Sequence, residues 1–138
     1  MKVVGVDFDA NKVLFVVVEG GPEGEPSIVD TKRFRLDDTR DADAMKKVRD
    51  EIRGLLAAHA DACLSIRSKP ENGQMRAGAA ALKMEALVLA ESGSAEVSFV
   101  SSVKAGKMPE APGLFAYLQT AYKAASARLV EKPKKSKK

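Results

Sequence analysis

A lone carboxylate, Asp7, stands inside the first of the two apolar runs of "VVGVDFDANKVLFVVVE" (residues 3–19), among valines and phenylalanines that suit strands. Burying a carboxylate alone in such a place is costly, so its presence needs a reason. Three are open: chemistry at Asp7, pairing with a nearby cation such as Lys69 or Lys104, or a groove through which water reaches it. The string "DFDAN" resembles the opening of a calcium-binding loop. That loop needs Gly at its sixth position and Glu at its twelfth, where this chain has Lys12 and Val18, so it is rejected.

The second group able to do chemistry is cationic. "RSKPENGQMR" (67–76) sets Arg67, Lys69 and Arg76 around a Gly-containing lead into a helix, and "SSVKAGK" (101–107) adds Lys104 and Lys107. Cations flanking a helix N-terminus make an anion site suited to a nucleic-acid backbone or a nucleotide phosphate. No G-x-x-x-x-G-K-[ST] occurs, so a P-loop is excluded. The competing reading is ordinary solvated loop charge, with Ser68 and Glu71 forming a capping box and Ser101 capping a short helix. His59 is the chain's single histidine and has no partner for a ligand pair or relay, so it is read as structural, a cation at a helix C-terminus. Cys63, the single cysteine, cannot make an internal disulfide and reads as a small buried hydrophobe.

These groups must be positioned by the elements around them. Residues 2–8 and 12–19 read as two antiparallel strands joined by a short polar turn. "SIVDTKRFRL" (27–36) carries charge on both faces and reads as an exposed edge strand after the loop "GGPEGEP". From Asp41 to about Ala58, Met45, Val48, Ile52, Leu55 and Leu56 recur at helical spacing. "ACLSI" (62–66) reads as a buried strand parallel to the first. "MRAGAAALKMEALVLAES" (75–92) follows as a helix with Met75, Leu82, Ala86 and Leu89 on its stripe, then "AEVSFV" (95–100) as a strand. A connector leads to a last helix over 114–130, with Leu114, Leu118, Ala121, Ala125 and Leu129 inward. The order is β-β-β-α-β-α-β-α: an α/β fold with a mixed sheet covered by helices. The two cationic loops would leave the same sheet edge, where open α/β sheets bind ligands.

At 138 residues, 45% hydrophobic and 30% charged, the chain reads as a single globular domain over 1–131, followed by a disordered lysine-rich tail, 132–138. No run approaches the roughly 18 consecutive apolar residues of a membrane span, and no leader pattern precedes the first strand, so the expected location is cytoplasmic. The net charge of +4 belongs to the tail "KPKKSKK": without its five lysines, 18 basic residues face 19 acidic ones. Lys134 and Lys135 there are candidates for a salt-sensitive, sequence-blind grip on phosphates; the alternative is a solubilising terminus. Aromatic residues are 5% with no Trp, so a stacking platform for single strands is not expected.

This order, with an acid in the first strand and a turn straight into the second, resembles the ribonuclease H-like fold shared with Holliday-junction resolvases. More narrowly, "GVDFDANKVLFVVV", "IRSKPENGQMRAGAAALKMEAL" and "SFVSSVKAGK" are similar to an uncharacterised bacterial family of small ribonuclease H-like proteins, over residues 1 to about 130. The resemblance implies a site where carboxylates clamp two divalent metals, which activate a water and steady the leaving oxygen of a phosphodiester. Those carboxylates come from the first strand, from the end of the fourth strand or the helix after it, and from the last helix. Asp7 matches the first position and is the candidate catalytic residue. Arg67, Ser68 and Lys69 stand where the second acid belongs, and Gln119, Tyr122 and Lys123 occupy the neighbourhood of the last. Asp9, on the same strand face if the strand persists, and Glu85, turned inward from its helix, would complete a metal set with Asp7 for Mg²⁺ or Mn²⁺. Against it, Asp9 suits the turn and Glu85 has a solvated role near Lys83 and Arg76. No other cofactor is assigned.

Three functions follow. The leading one is a non-catalytic ribonuclease H-like module with a degenerate active site, binding nucleic acid or a protein partner through Arg67, Lys69, Arg76, Lys104 and Lys107 and the lysine tail. The alternatives are a divalent-metal-dependent nuclease using Asp7 with non-standard ligands, and a ligand-free homo-oligomer such as a homodimer joined by the Ala-rich helices.

Overall fold

The two valine-rich runs become the centre of the sheet because both their faces must be covered. The computed structural model describes residues 1–20, 26–69 and 78–131. Strands β1 (Lys2–Asp9) and β2 (Lys12–Glu19) pair antiparallel, and every residue of each is buried except those at its two ends. Ala10 and Asn11 form the turn between them, with Ala10 at φ +54°, a conformation more natural to Gly or Asn. Asn11 also anchors the far end of the next strand: its carbonyl accepts from Leu36 N at 2.8 Å and its Nδ2 donates to Leu36 O at 3.2 Å.

Strand β3 (Ser27–Arg35) runs antiparallel to β2, with a bulge at Val17/Val18, and is an edge strand as its charge pattern requires. Helix α1 (Ala42–Ala58) starts at Asp41, whose Oδ2 accepts from Ala44 N at 3.0 Å, and buries Val48, Ile52 and Leu55. Strand β4 (Cys63–Arg67) pairs parallel to β1, and β5 (Val97–Val100) pairs parallel to β4. Between them lies α2 (Ala79–Ala90); α3 (Ser102–Gly106), a 3₁₀ turn (Ala116–Leu118) and α4 (Gln119–Leu129) follow. The sheet order is β3-β2-β1-β4-β5.

Helices α1 and α2 cover one face, meeting Val4, Val6, Phe8, Phe15, Leu64 and Ile66. Helix α4 covers the other, meeting Val3, Leu14, Val16 and Val18 with Leu118, Ala121 and Ala125. Gly5 lies under α4, and beside it Ser65 Oγ donates to Ala124 O at 2.7 Å.

Two helices differ from expectation. The stripe of α2 is Ala81, Met84 and Val88, whereas Ala86 and Leu89 face outward. Its sequence is apolar on all sides, so its own periodicity cannot choose the buried face. The last helix starts at Gln119 rather than near Leu114, after the 3₁₀ turn. The Gln119 amide explains the delay: Oε1 accepts from Ala111 N at 2.9 Å, and Nε2 donates to Ala111 O and Leu114 O at 2.9 and 3.0 Å. Those backbone groups are satisfied by a side chain and do not join a helix.

At the opposite end from the Asn11 turn, α1 and α2 are joined by a two-pronged ion pair, Arg53 Nε and Nη2 donating to Glu91 Oε1 and Oε2 at 2.8 and 3.0 Å. The hydrogen bonds from Arg53 hold the Glu91 carboxyl below its ordinary range. A depressed folded-state pKa gives stability that is complete above the ordinary carboxylate pKa and lost as pH falls through the folded value. Unfolding curves recorded from neutral pH down to about pH 3 should therefore show a smaller acid loss for Glu91→Gln than for the wild type. Identical acid limbs would remove this pair as a contributor.

Candidate nucleic-acid interface

Asp7 does not point into the α1/α2 core. In register it is opposite Leu14 of β2, and Leu14 is opposite Arg33 of β3. Directly opposed residues share a face, so Arg33, Leu14 and Asp7 form a row on the α4 side. On the other flank Val6 pairs with Ile66, so the next residue of β4, Arg67, continues that row. Arg67 Nε donates to Asp7 Oδ1 at 2.7 Å, with only 8% of the Asp7 side chain and 20% of the Arg67 side chain exposed. Arg67 Nη1 donates in turn to Ser102 Oγ at 2.8 Å, linking the pair to the first turn of α3. The partner of Asp7 is thus Arg67, in place of the expected Lys69 or Lys104. The parallel register brings Arg67 alongside Asp7, whereas Lys104 Nζ turns to Glu131 Oε2 at 3.2 Å.

This arrangement decides what the site can hold. Asp9 is exposed at the hairpin end, opposite Lys12, and Glu85 lies on α2, which packs on the other face of the sheet from Asp7. The sheet itself separates Asp7 from Glu85. Among the described residues no group of three or more His, Cys, Asp or Glu is placed to hold a metal ion. The donors described, one carboxylate already engaged by a guanidinium, do not fit a two-metal set.

The cationic loops do leave one edge. Ser68 N donates to Val100 O at 2.8 Å, so the chain leaving β4 and the chain leaving β5 part from adjacent points. Lys69 is half-buried there, and Lys104 and Lys107 are exposed on and just after α3. Ser101 caps α3 as expected, its Oγ accepting from Lys104 N at 3.0 Å. Arg76, Lys134, Lys135 and the Glu71 of the capping box lie outside the described residues. Of the last-helix residues that stand where the resemblance implied an acid, Gln119 is occupied with the 111–114 backbone and Lys123 Nζ pairs with Glu110 at 3.6 Å.

His59 caps the C-terminus of α1, and its Nε2 lies 3.1 Å from Asp30 Oδ2 of β3, a tie between helix and edge strand. Burial pushes the Cys63 thiol pKa up, which disfavours the reactive thiolate. Sequence reasoning missed two features: Ser102 as second partner of Arg67, and a surface group of Arg33, Phe115 and Tyr117. Phe115 and Tyr117 stack with ring centroids 5.6 Å apart and planes inclined by 14°, and the Arg33 guanidinium carbon stands 4.8 Å over the Tyr117 ring. A low aromatic content does not preclude clustering. The signal available was the spacing of Phe115 and Tyr117, two residues apart.

No helix among the described residues is long and apolar enough to cross a membrane. The fold is ribonuclease H-like and matches solved structures of RuvC. The structure of Thermus thermophilus RuvC superposes with a TM-score of 0.72 at 15% identity, covering 92% of each chain. T. thermophilus RuvC in complex with Holliday junction substrate gives 0.69 at 14% identity, over 92% of this chain and 91% of that one. At such identity the likeness shows the ribonuclease H-like fold alone. A search among curated proteins returned no match. A family model, however, matches residues 1–127, and on that match the chain belongs to DUF3010, a protein family of unknown function.

Proposed function

We propose that this chain is a non-catalytic ribonuclease H-like module of the cytoplasm that binds nucleic acid at the edge where β4 and β5 end. The observation that carries this reading is the 2.7 Å contact between Arg67 and Asp7. The carboxylate that would begin a metal site is neutralised by a guanidinium, and the edge around it carries the half-buried Lys69 and the exposed Lys104 and Lys107. Arg67 keeps further N–H donors beyond the two it uses. Among the described residues Lys104 pairs with Glu131 in an exposed ion pair, worth little and readily exchanged for a phosphate. Arg76, Lys134 and Lys135 would add to the same grip. The shared fold with a resolvase described in complex with junction DNA supports nucleic acid over a protein partner.

The test is a binding titration of a labelled four-way DNA junction at several salt concentrations, followed by incubation with Mg²⁺ or Mn²⁺. For roughly four phosphate contacts, affinity should fall about a hundredfold between ~50 and ~200 mM salt. Binding should weaken when residues 132–138 are deleted, and the junction should remain intact. Metal-dependent cleavage that disappears in Asp7→Asn would replace this reading with the nuclease, and salt-insensitive binding would remove nucleic acid.

A further inference from the structure

Phe115 leaves 69% of its surface in water, beside Tyr117 at 39%. Their exposure is not the result of loose chain. Leu118 N donates to Phe115 O at 3.0 Å to start the 3₁₀ turn, and the Gln119 amide fixes the backbone just before it. Two nearly parallel rings are therefore held on a fixed backbone, with a guanidinium over one of them. Among the exposed large apolar side chains, these two stand together as a stacked ring pair.

Its location suggests which partner. Arg33 is the β3 end of the row that runs through Leu14 to Asp7 and Arg67. Two strand spacings, about 10 Å, separate Arg33 from Asp7 across the sheet. The adjacent row, Arg35, Lys12 and Asp9, adds two more cations on the same side, Arg35 in an exposed, exchangeable pair with Asp37. Stacked, exposed rings bordered by the cations of the β3 edge match single-stranded nucleic acid, whose bases stack while its phosphates take the cations.

We propose that Phe115 and Tyr117, with Arg33, form a stacking platform for an unpaired base of a nucleic-acid strand whose phosphates meet the neighbouring cations Arg33, Arg35 and Lys12. This rests on the nucleic-acid reading above and adds to it a preference for single-stranded segments. An apolar protein surface or a second copy of the chain is the competing occupant.

The test uses the full chain and fluorescence anisotropy with a labelled oligo-dT strand and a matched strand carrying abasic sites. Phe115→Leu keeps an apolar side chain at an exposed position but removes the aromatic face. It should weaken oligo-dT binding about tenfold and leave the abasic strand unchanged. A 2-aminopurine in the strand should change fluorescence on binding the wild type and much less on binding F115L. Equal affinities of F115L and wild type for both strands would overturn the platform. If K69E and K107E still weakened binding in that case, the interface reading would stand without it. Absence of any binding by the wild type would overturn both, and an effect of F115L on self-association alone, seen by sedimentation, would assign the rings to a second copy.

Discussion

Replacing Gly5 with alanine is expected to cost more than about 3 kcal/mol, enough to leave little folded protein given a typical total of ~5–15 kcal/mol. A methyl group built on Gly5 would overlap the Ala121 carbonyl oxygen and sit 2.8 Å from Ala125 Cβ and 2.9 Å from Ala125 N. Two of these three atoms are backbone of α4, so no rotamer change relieves the clash. The helix would have to lift from the sheet centre, taking Leu118, Ala121 and Ala125 off Val3, Leu14 and Val16. Urea unfolding of G5A, or its recovery only in the insoluble fraction, checks this. Gly54 supplies the control: it lies exposed inside α1 with open space around its Cβ position, and Gly54→Ala should raise stability by about 0.5–1 kcal/mol. A folded G5A as stable as the wild type would mean that α4 does not approach β1 so closely.

Arg67→Ala carries the second-largest effect, a loss of about 3 kcal/mol. Removing the guanidinium leaves the Asp7 carboxylate, 8% exposed, with no counter-charge in a site lined by strands and Leu14. The pair also holds Ser102, so α3 should loosen with it. Asp7→Ala should be milder than Arg67→Ala, because the freed guanidinium is the more exposed of the two and can turn toward water. The double variant should be more stable than the summed single losses imply, by at least ~1 kcal/mol of coupling. Arg35 and Asp37, whose side chains are 64% and 57% exposed, make the contrasting pair, and its removal should shift stability by less than ~1 kcal/mol. Chemical denaturation of the full cycle decides the matter; additive losses at Asp7 and Arg67 would show that the 2.7 Å contact is energetically idle.

Much of this architecture was legible in the chain because the local code and the fold agree. Continuous valine runs with a short polar turn gave a doubly covered hairpin, charge on both faces marked β3 as an edge, and the spacing of Val48, Ile52 and Leu55 set the buried side of α1. That Arg67, Gln119 and Lys123 stand at the end of β4 and along α4, where the resemblance implied acids, could likewise be read directly.

What tertiary structure alone decided were the pairings at long range. The buried stripe of α2 was undetermined because a helix apolar on every side has no preferred face until a sheet is offered to it. The partner of Asp7 depended on the β1–β4 register, a relation between residues 60 apart in sequence, so composition favoured any nearby lysine while the sheet delivered Arg67. The start of α4 was moved by one side chain, Gln119, outbidding the helix for backbone groups eight and five residues earlier. The grouping of Arg33 with Phe115 and Tyr117 joins an edge strand to a turn far along the chain. Sequence fixes which residues prefer strand, helix or water; only packing fixes which of them meet, because contact across a sheet is set by register and not by proximity in the chain.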